Sequence, residues 1–443
     1  MHGFEFRLWT SLILVTPALA ASPEPVPGEH GMVVTAHRLA SEVGIDTLKR
    51  GGNAVDAAVA VGYALAVVYP TAGNIGGGGF MTIHLADGKS TFLDFRERAP
   101  LAATETMYQD DKGEVVSGLS TDGYLAVGVP GPVMGFETAR ERYGTMDRQE
   151  LLAPAIRLAT EGFVFGPADV ASFSEGNDDL AKDQAASAIF LKDGKPLASG
   201  DRLIQTDLAR SLQQVSDTGP DAFYKGAIAD AIVAASKAGG GILEKADFER
   251  YAVRELEPVE CDYRGYNIIS SPPPSSGGVI ICEILNVLEG YPLGYMGFHS
   301  AETVHAMVEA MRTAFVDRNT KLGDPDFVEV PLAELLDDEY AAATRAKISP
   351  FRAGESAALI PAEFLAEKPE TTHFSIIDKA GNAVAVTYTL NGSSAPGSSP
   401  PGPAFCSTTR WTISPPSPAC PTSTASSRGR PTRSHRARRR SPR

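Results

Sequence analysis

The chain has 443 residues, of which 43% are hydrophobic and 21% charged, with a formal net charge of −14 and a mean hydropathy of −0.09. This length fits one large domain or two to three ordinary ones, and the composition is that of a globular protein rather than a fibrous or wholly disordered one. Past the N-terminus no apolar run is long enough to span a bilayer.

Residues 1–20 read as a signal peptide. Arg7 gives a short basic region, Leu8 to Val15 an apolar core, and Ala18-Leu19-Ala20 a small-residue cleavage site. The expected location of the mature protein is therefore periplasmic or secreted. From Ala40 to Val68 the pattern is helical, interrupted at Gly51-Gly52, with Asn53 or Asp56 as the cap of the second half. The Ala/Val-rich run from Ala54 to Val68 is apolar on nearly all sides, which predicts a core helix that Pro70 stops.

Four glycines, Gly76 to Gly79, precede a predicted strand from Phe80 to Leu85, a turn at Asp87-Gly88 and a strand from Ser90 to Phe95. A phosphate-binding loop would need a Lys-Ser/Thr pair and a preceding strand, and both are missing. Close backbone approach in a crowded core accounts for the glycines better. Arg96 follows the second strand between Asp94 and Glu97. On local pattern it is a surface ion pair.

Helical spacing dominates residues 150 to 250, over Glu150 to Glu161, Thr206 to Val215, Ala227 to Lys237 and Lys245 to Tyr251. Strand signals return at Val259 to Cys261 and Tyr266 to Ser270, and the loop Pro272 to Gly278 leads into a helix from Val279 to Leu288. Ser276 has no Gly-x-Ser-x-Gly context, so a turn or N-cap role is expected of it. Cys261 and Cys282 sit in apolar contexts and read as two buried thiols rather than a disulfide. No CxxC or HxxxH spacing points to structural zinc. His299, His305, Asp317 and Arg318 flank a helix from Ala301 to Val316 and are expected in core or surface roles. Residues 350–370 read as an exposed linker.

The segment after that linker carries the chemistry. Phe374 to Ile377 and Ala383 to Leu390 are two β-rich runs around the turn Lys379-Ala380-Gly381-Asn382. Thr371 stands just before the first. Were the chain cut in front of it, one residue would carry both a hydroxyl nucleophile and a free α-amine to serve as its base.

Glu370-Thr371-Thr372-His373-Phe374-Ser375, with Asp378 and Gly381 to Asn391, resembles the processing site and first strands of the γ-glutamyltransferases, which are N-terminal-nucleophile hydrolases. The resemblance extends, in the family's order, through Gly51 to Ala58, Ala72 to Phe80, Asp94-Phe95-Arg96-Glu97, Gly128-Val129-Pro130-Gly131, Pro272 to Gly278 and Leu322 to Val328. It covers about residues 30–391.

Several roles are implied by that resemblance. Thr371 is the nucleophile, and the peptide bond from Glu370 to Thr371 is the processing site. Thr389 positions the nucleophile's hydroxyl, Arg96 holds the substrate α-carboxylate and Asn391 contacts the glutamyl group. A guanidinium fork suits a planar carboxylate in a way that lysine does not copy. The implied fold is α+β, a four-layer αββα sandwich shared by a large subunit (residues 21–370) and a small one that starts at residue 371. The implied substrates are glutathione and other γ-glutamyl compounds, with amino acids, dipeptides or water as acceptors. Neither a cofactor nor nucleic acid is implied.

The tail breaks this pattern. Residues 392–443 contain nine arginines and no Lys, Asp or Glu, so the rest of the chain carries −23 against −14 for the whole. A disordered basic tail, or an arm for nucleic acid or membrane, is one reading. A shifted reading frame is the favoured one. One base back, the codons for Phe405 to Ile413 permit Phe-Leu-Leu-Asn-Asn-Glu-Met-Asp-Asp, close to the family's continuation. Those for Arg440 to Arg443 with a stop permit Leu-Ser-Ser-Met. The change falls near codons 391 to 394, and the acidic pair, serine pair and Gly-Gly oxyanion hole of the family lie beyond it. C-terminal strands are then incomplete, and exposed apolar faces and aggregation are expected. Two rival readings remain: an acylase of the same superfamily with another specificity, and a truncated, unprocessed pseudoenzyme.

Overall fold

The computed structural model describes residues 25–173, 184–355 and 371–390. Its centre is a six-stranded antiparallel sheet. The strands are β1 (Gly31–Val34), β2 (Gly78–His84), β3 (Ser90–Asp94), β4 (Arg254–Leu256), β7 (Thr372–Asp378) and β8 (Ala383–Thr389), in the spatial order β1-β7-β8-β2-β3-β4. The predicted strand pairs thus appear within a residue or two. Their hairpins lie side by side, although nearly 300 residues separate them in sequence.

Helices cover one face of this sheet: α1 (Arg38–Lys49), α2 (Ala54–Val68), α3 (Pro132–Tyr143) and α4 (Arg148–Glu161), with α5 (Thr206–Thr218) and α6 (Ala227–Ala238) further out. All fifteen residues of α2 are buried, as its uniform apolarity predicts. Asn53 and Asp56 both cap it, in a reciprocal capping box. Asp56 also accepts the N–H groups of Thr145 and Met146 and the Thr145 hydroxyl, which fixes the α3–α4 connection. Phe374, Ile376, Val384, Val386, Tyr388, Met81, Ile83, Leu93 and Phe95 point into the same core as α2. The Phe136 ring fits there only because residue 62 is glycine: a Cβ would collide with it.

A smaller unit follows. The hairpin of β5 (Val259–Tyr263) and β6 (Tyr266–Ser270) packs on α7 (Gly277–Glu289), which is flanked by α8 (Ala301–Lys321) and α9 (Asp338–Lys347). Here one expectation is overturned. Cys261 and Cys282 are joined by a disulfide, with Cα atoms 5.9 Å apart. The two apolar contexts face each other across the strand–helix interface, which brings the sulfurs within bonding distance.

The structure is α+β, with one helix-covered sheet and a second, smaller helix–sheet pair. The strands expected beyond Asn391 lie outside the described residues, as do residues 1–20, read above as a signal peptide, and the tail. On the sheet face away from α2, His373 and Ser375 are exposed, and so are the apolar Val34 and Ile377. A stripe of Val304, Met307, Val308, Met311 and Phe315 on α8 is also exposed. Among the described residues no helix is long and apolar enough to cross a membrane.

Candidate active site

Strand register gathers the predicted site residues at one end of the six-stranded sheet. Thr372 pairs with Tyr388, so one step further Thr371 stands opposite Thr389. Thr389 in turn pairs with Gly78. Gly79 and Phe95 exchange both backbone hydrogen bonds, so Arg96 stands opposite Gly78. Thr371, Thr389, Gly78 and Arg96 therefore form one row along the ends of four adjacent strands. Directly opposed residues of an antiparallel sheet project to the same face. That face is the one turned away from α2, since the alternate residues Thr372, Tyr388, Gly79 and Phe95 face the core.

The glycine run keeps the row tight. A Cβ on Gly77 would strike the carbonyl oxygen of Thr389. A Cβ on Gly78 would lie 2.6 Å from both the backbone nitrogen and Oε2 of Glu97. Asn74 holds the turn by accepting the Gly77 N–H at 2.7 Å. Crowding, not phosphate binding, explains these glycines.

Arg96 is fixed on several sides. Its N–H donates to Asp94 Oδ1 at 3.0 Å, its carbonyl accepts the Tyr251 hydroxyl at 2.9 Å, and its Nε donates to Glu97 Oε2 at 3.0 Å. Its guanidinium lies 5.5 Å from the Phe80 ring centre, within cation–π range. Among the described residues neither Nη atom has a hydrogen-bond partner. Arg96 is thus not the simple surface pair of the local reading: one edge of its fork is anchored and the other is open. Glu97, only 1% exposed, occupies the space over Gly78 between Thr389 and Arg96. Nothing in its local sequence pattern by itself marks it as a site residue. The signal available was an acid adjacent to Arg96 and facing a glycine run.

His373 lies on the site face two residues beyond Thr371. Its ring nitrogens meet the hydroxyls of Thr387 at 2.7 Å and Ser375 at 3.0 Å, and burial lowers its pKa. Both ring nitrogens are thus engaged by neighbouring hydroxyls. Glu370 and Asn391 lie outside the described residues.

Two other expectations are settled by contacts. Ser276 occupies the N-cap position of α7 but makes no cap; its hydroxyl accepts from Arg318 Nε at 3.1 Å. The neighbouring Ser275 hydroxyl takes the Gly277 N–H instead. His305 Nε2 meets the Ser349 carbonyl and His299 stacks on Phe298, both surface contacts.

Comparison with known proteins identifies the family. A family model described as gamma-glutamyltranspeptidase matches residues 40–402. A glutathione hydrolase proenzyme from Pseudomonas sp. (strain A14) is 62% identical over 84% of this chain, and one from Escherichia coli (strain K12) is 47% identical over 83%. The chain spans 65% and 64% of those two proteins. An acylase proenzyme from Pseudomonas sp. (strain SE83) is 42% identical over 83% of this chain and 67% of its own length. Among solved structures, the γ-glutamyltranspeptidase of Helicobacter pylori superposes with a TM-score of 0.74 at 43% identity, covering 78% of this chain and 99% of that one. A cephalosporin acylase from Bacillus halodurans reaches 0.74 at 29% identity, over 89% and 73%. The chain belongs to the γ-glutamyltranspeptidase family.

Proposed function

We propose that this chain carries the nucleophile half of a self-cleaving γ-glutamyl transferase and glutathione hydrolase. The observation that carries the reading is the row Thr371–Thr389–Gly78–Arg96. Three strand-to-strand steps separate the first backbone position from the last by roughly 14 Å. An extended arginine and a short threonine narrow that gap toward the span of one glutamyl group, from α-carboxylate to γ-carbonyl. The open edge of Arg96 is the natural partner for the carboxylate.

Maturation comes first. The Thr371 hydroxyl attacks the Glu370 carbonyl, the acyl group moves from nitrogen to oxygen, and water hydrolyses the ester. Residues 21–370 become the large subunit, and the small one begins at Thr371. The released α-amine has an ordinary pKa of about 7.7–8.0, so it is partly neutral near pH 7 and accepts the hydroxyl proton. Thr371 Oγ then attacks the γ-amide of glutathione, cysteinylglycine leaves with that proton, and a γ-glutamyl ester remains. Water releases glutamate; an amino acid or dipeptide takes the glutamyl group instead. Thr389 orients the nucleophile and Asn391 contacts the glutamyl group.

Export to the periplasm or medium is part of the proposal. The leader-like residues 1–20 and the Cys261–Cys282 disulfide support it, since disulfides persist in oxidising compartments.

The similarity to acylases supports a second reading, an acylase acting on a different side chain. The proposal includes the shifted frame near codon 391, so the test uses the gene with that frame restored, assayed with a γ-glutamyl anilide and a glutaryl anilide. Preference for the γ-glutamyl substrate is expected, because only it presents the α-carboxylate beside an amine. Preference for the glutaryl substrate would replace the proposal with the acylase reading.

A further inference from the structure

Arg254, on edge strand β4, sits against the site without touching its open face. It pairs with Asp94 in the sheet register. Its Nε and Nη2 donate to Asp94 Oδ2 at 2.9 and 2.6 Å. Its Nη1 reaches Asp326 Oδ2 at 2.7 Å and stands 3.8 Å from Asp324 Oδ1. Asp94 is fully buried, and its other oxygen holds the Arg96 N–H.

Asp94 ends β3 and pairs with Phe80, over whose ring the Arg96 guanidinium lies, so both side chains are on the same sheet face. A buried carboxylate without a counter-ion is costly and seeks the nearest cation. Without Arg254, the Arg96 guanidinium on the same face becomes the candidate counter-ion, and its open amino groups are the ones a substrate carboxylate would use.

We propose that Arg254 is a positioning residue for substrate recognition: it engages Asp94 and thereby keeps the outer edge of the Arg96 fork open. The proposal rests on the reading of Arg96 as the carboxylate anchor. It makes Asp94 a built-in competitor that Arg254 holds in check, and it ties the Asp324–Asp326 loop to the site through one guanidinium.

The test has two parts. First, the 443-residue chain is treated with phenylglyoxal, and labelling of Arg96 is followed by peptide mass, with exposed Arg210 as the internal reference. Arg254→Gln is expected to slow Arg96 labelling about fivefold, because Asp94 closes on its guanidinium. Adding Asp94→Asn to that variant should restore the rate. Arg254→Lys, which keeps a cation on Asp94, should stay within about twofold of the parent and serves if Arg254→Gln does not fold. Second, in the frame-restored protein Arg254→Gln should raise KM for a γ-glutamyl anilide about tenfold with kcat little changed, and the double variant should recover most of the loss.

A purely structural role predicts that the double variant is worse than either single one, which would overturn the proposal. Arg96 labelling unchanged in Arg254→Gln would also overturn it. Slower labelling with an unmoved KM would leave the Arg254–Asp94–Arg96 relationship standing and remove Arg96 from substrate binding.

Discussion

Asp378 Oδ2 accepts the backbone N–H of Ala54 at 2.9 Å, so the turn of the Thr371 hairpin is bonded to the first residue of the buried helix α2. The other oxygen accepts the N–H groups of Ala380 and Asn382, which shape the turn itself. At the far end of the hairpin the Tyr388 hydroxyl donates to the Gly62 carbonyl inside α2. The strands that frame Thr371 are thus fixed to the core helix at both ends. Asp378→Ala removes a charged cap and the turn brace together. It should lower unfolding free energy by about 2–3 kcal/mol, measured by denaturant titration.

Gly78→Ala inserts a methyl where Glu97 already lies. Glu97 must move, and the Arg96 Nε loses its anchor. The expected result is a stability loss of about 1–3 kcal/mol. Turnover of a γ-glutamyl anilide by the frame-restored protein should fall with it.

Arg96→Lys replaces a two-pronged donor with a point charge. In the frame-restored protein KM should rise by about tenfold or more while maturation proceeds. Unchanged kinetics would take Arg96 out of the site.

Reduction of the Cys261–Cys282 bond opens a loop with a sequence separation of 21. Denaturation with and without reductant should show about 3 kcal/mol less stability on reduction.

Glu283 on α7 is 2% exposed, and burial raises its pKa to about 8, with the Asp317 carboxyl on α8 adding to the effect against the opposing charge of Lys321. Tyr340 and Lys321 both bond to Asp317 rather than to Glu283. The folded chain therefore keeps the Glu283 proton well above the ordinary 4.5 of the unfolded one. Folded stability should drop as pH rises from that lower value through about 8, by up to about 1.4 kcal/mol per pH unit, and level off beyond. Glu283→Gln should flatten that slope, as read by melting temperature across the range.

Much of this was legible in the sequence because local pattern and burial agree. The uniform apolarity of residues 54–68 predicts a helix buried all round, and α2 is one. The alternation in residues 383–390 predicts a strand with one face in the core, and Val384, Val386 and Tyr388 supply it. The Cys261–Cys282 bond was missed because pairing depends on which strand face meets which helix face, and spacing does not carry that. Ser276 does occupy the N-cap position expected of it, but the partner of its hydroxyl, Arg318, lies 42 residues away and leaves no local signal. Glu97 was passed over for the same kind of reason: its position over Gly78 follows from the register of β2 on β3, a tertiary fact.

The proposed function requires the bond between residues 370 and 371 to break without help. Intact mass and N-terminal sequencing of the purified frame-restored protein, beside its Thr371→Ala variant, test it most directly. Two chains are expected in the parent, the smaller beginning at Thr371, and one uncut chain in the variant. Two chains in the variant, or an uncut parent that still turns over γ-glutamyl substrate, would contradict it.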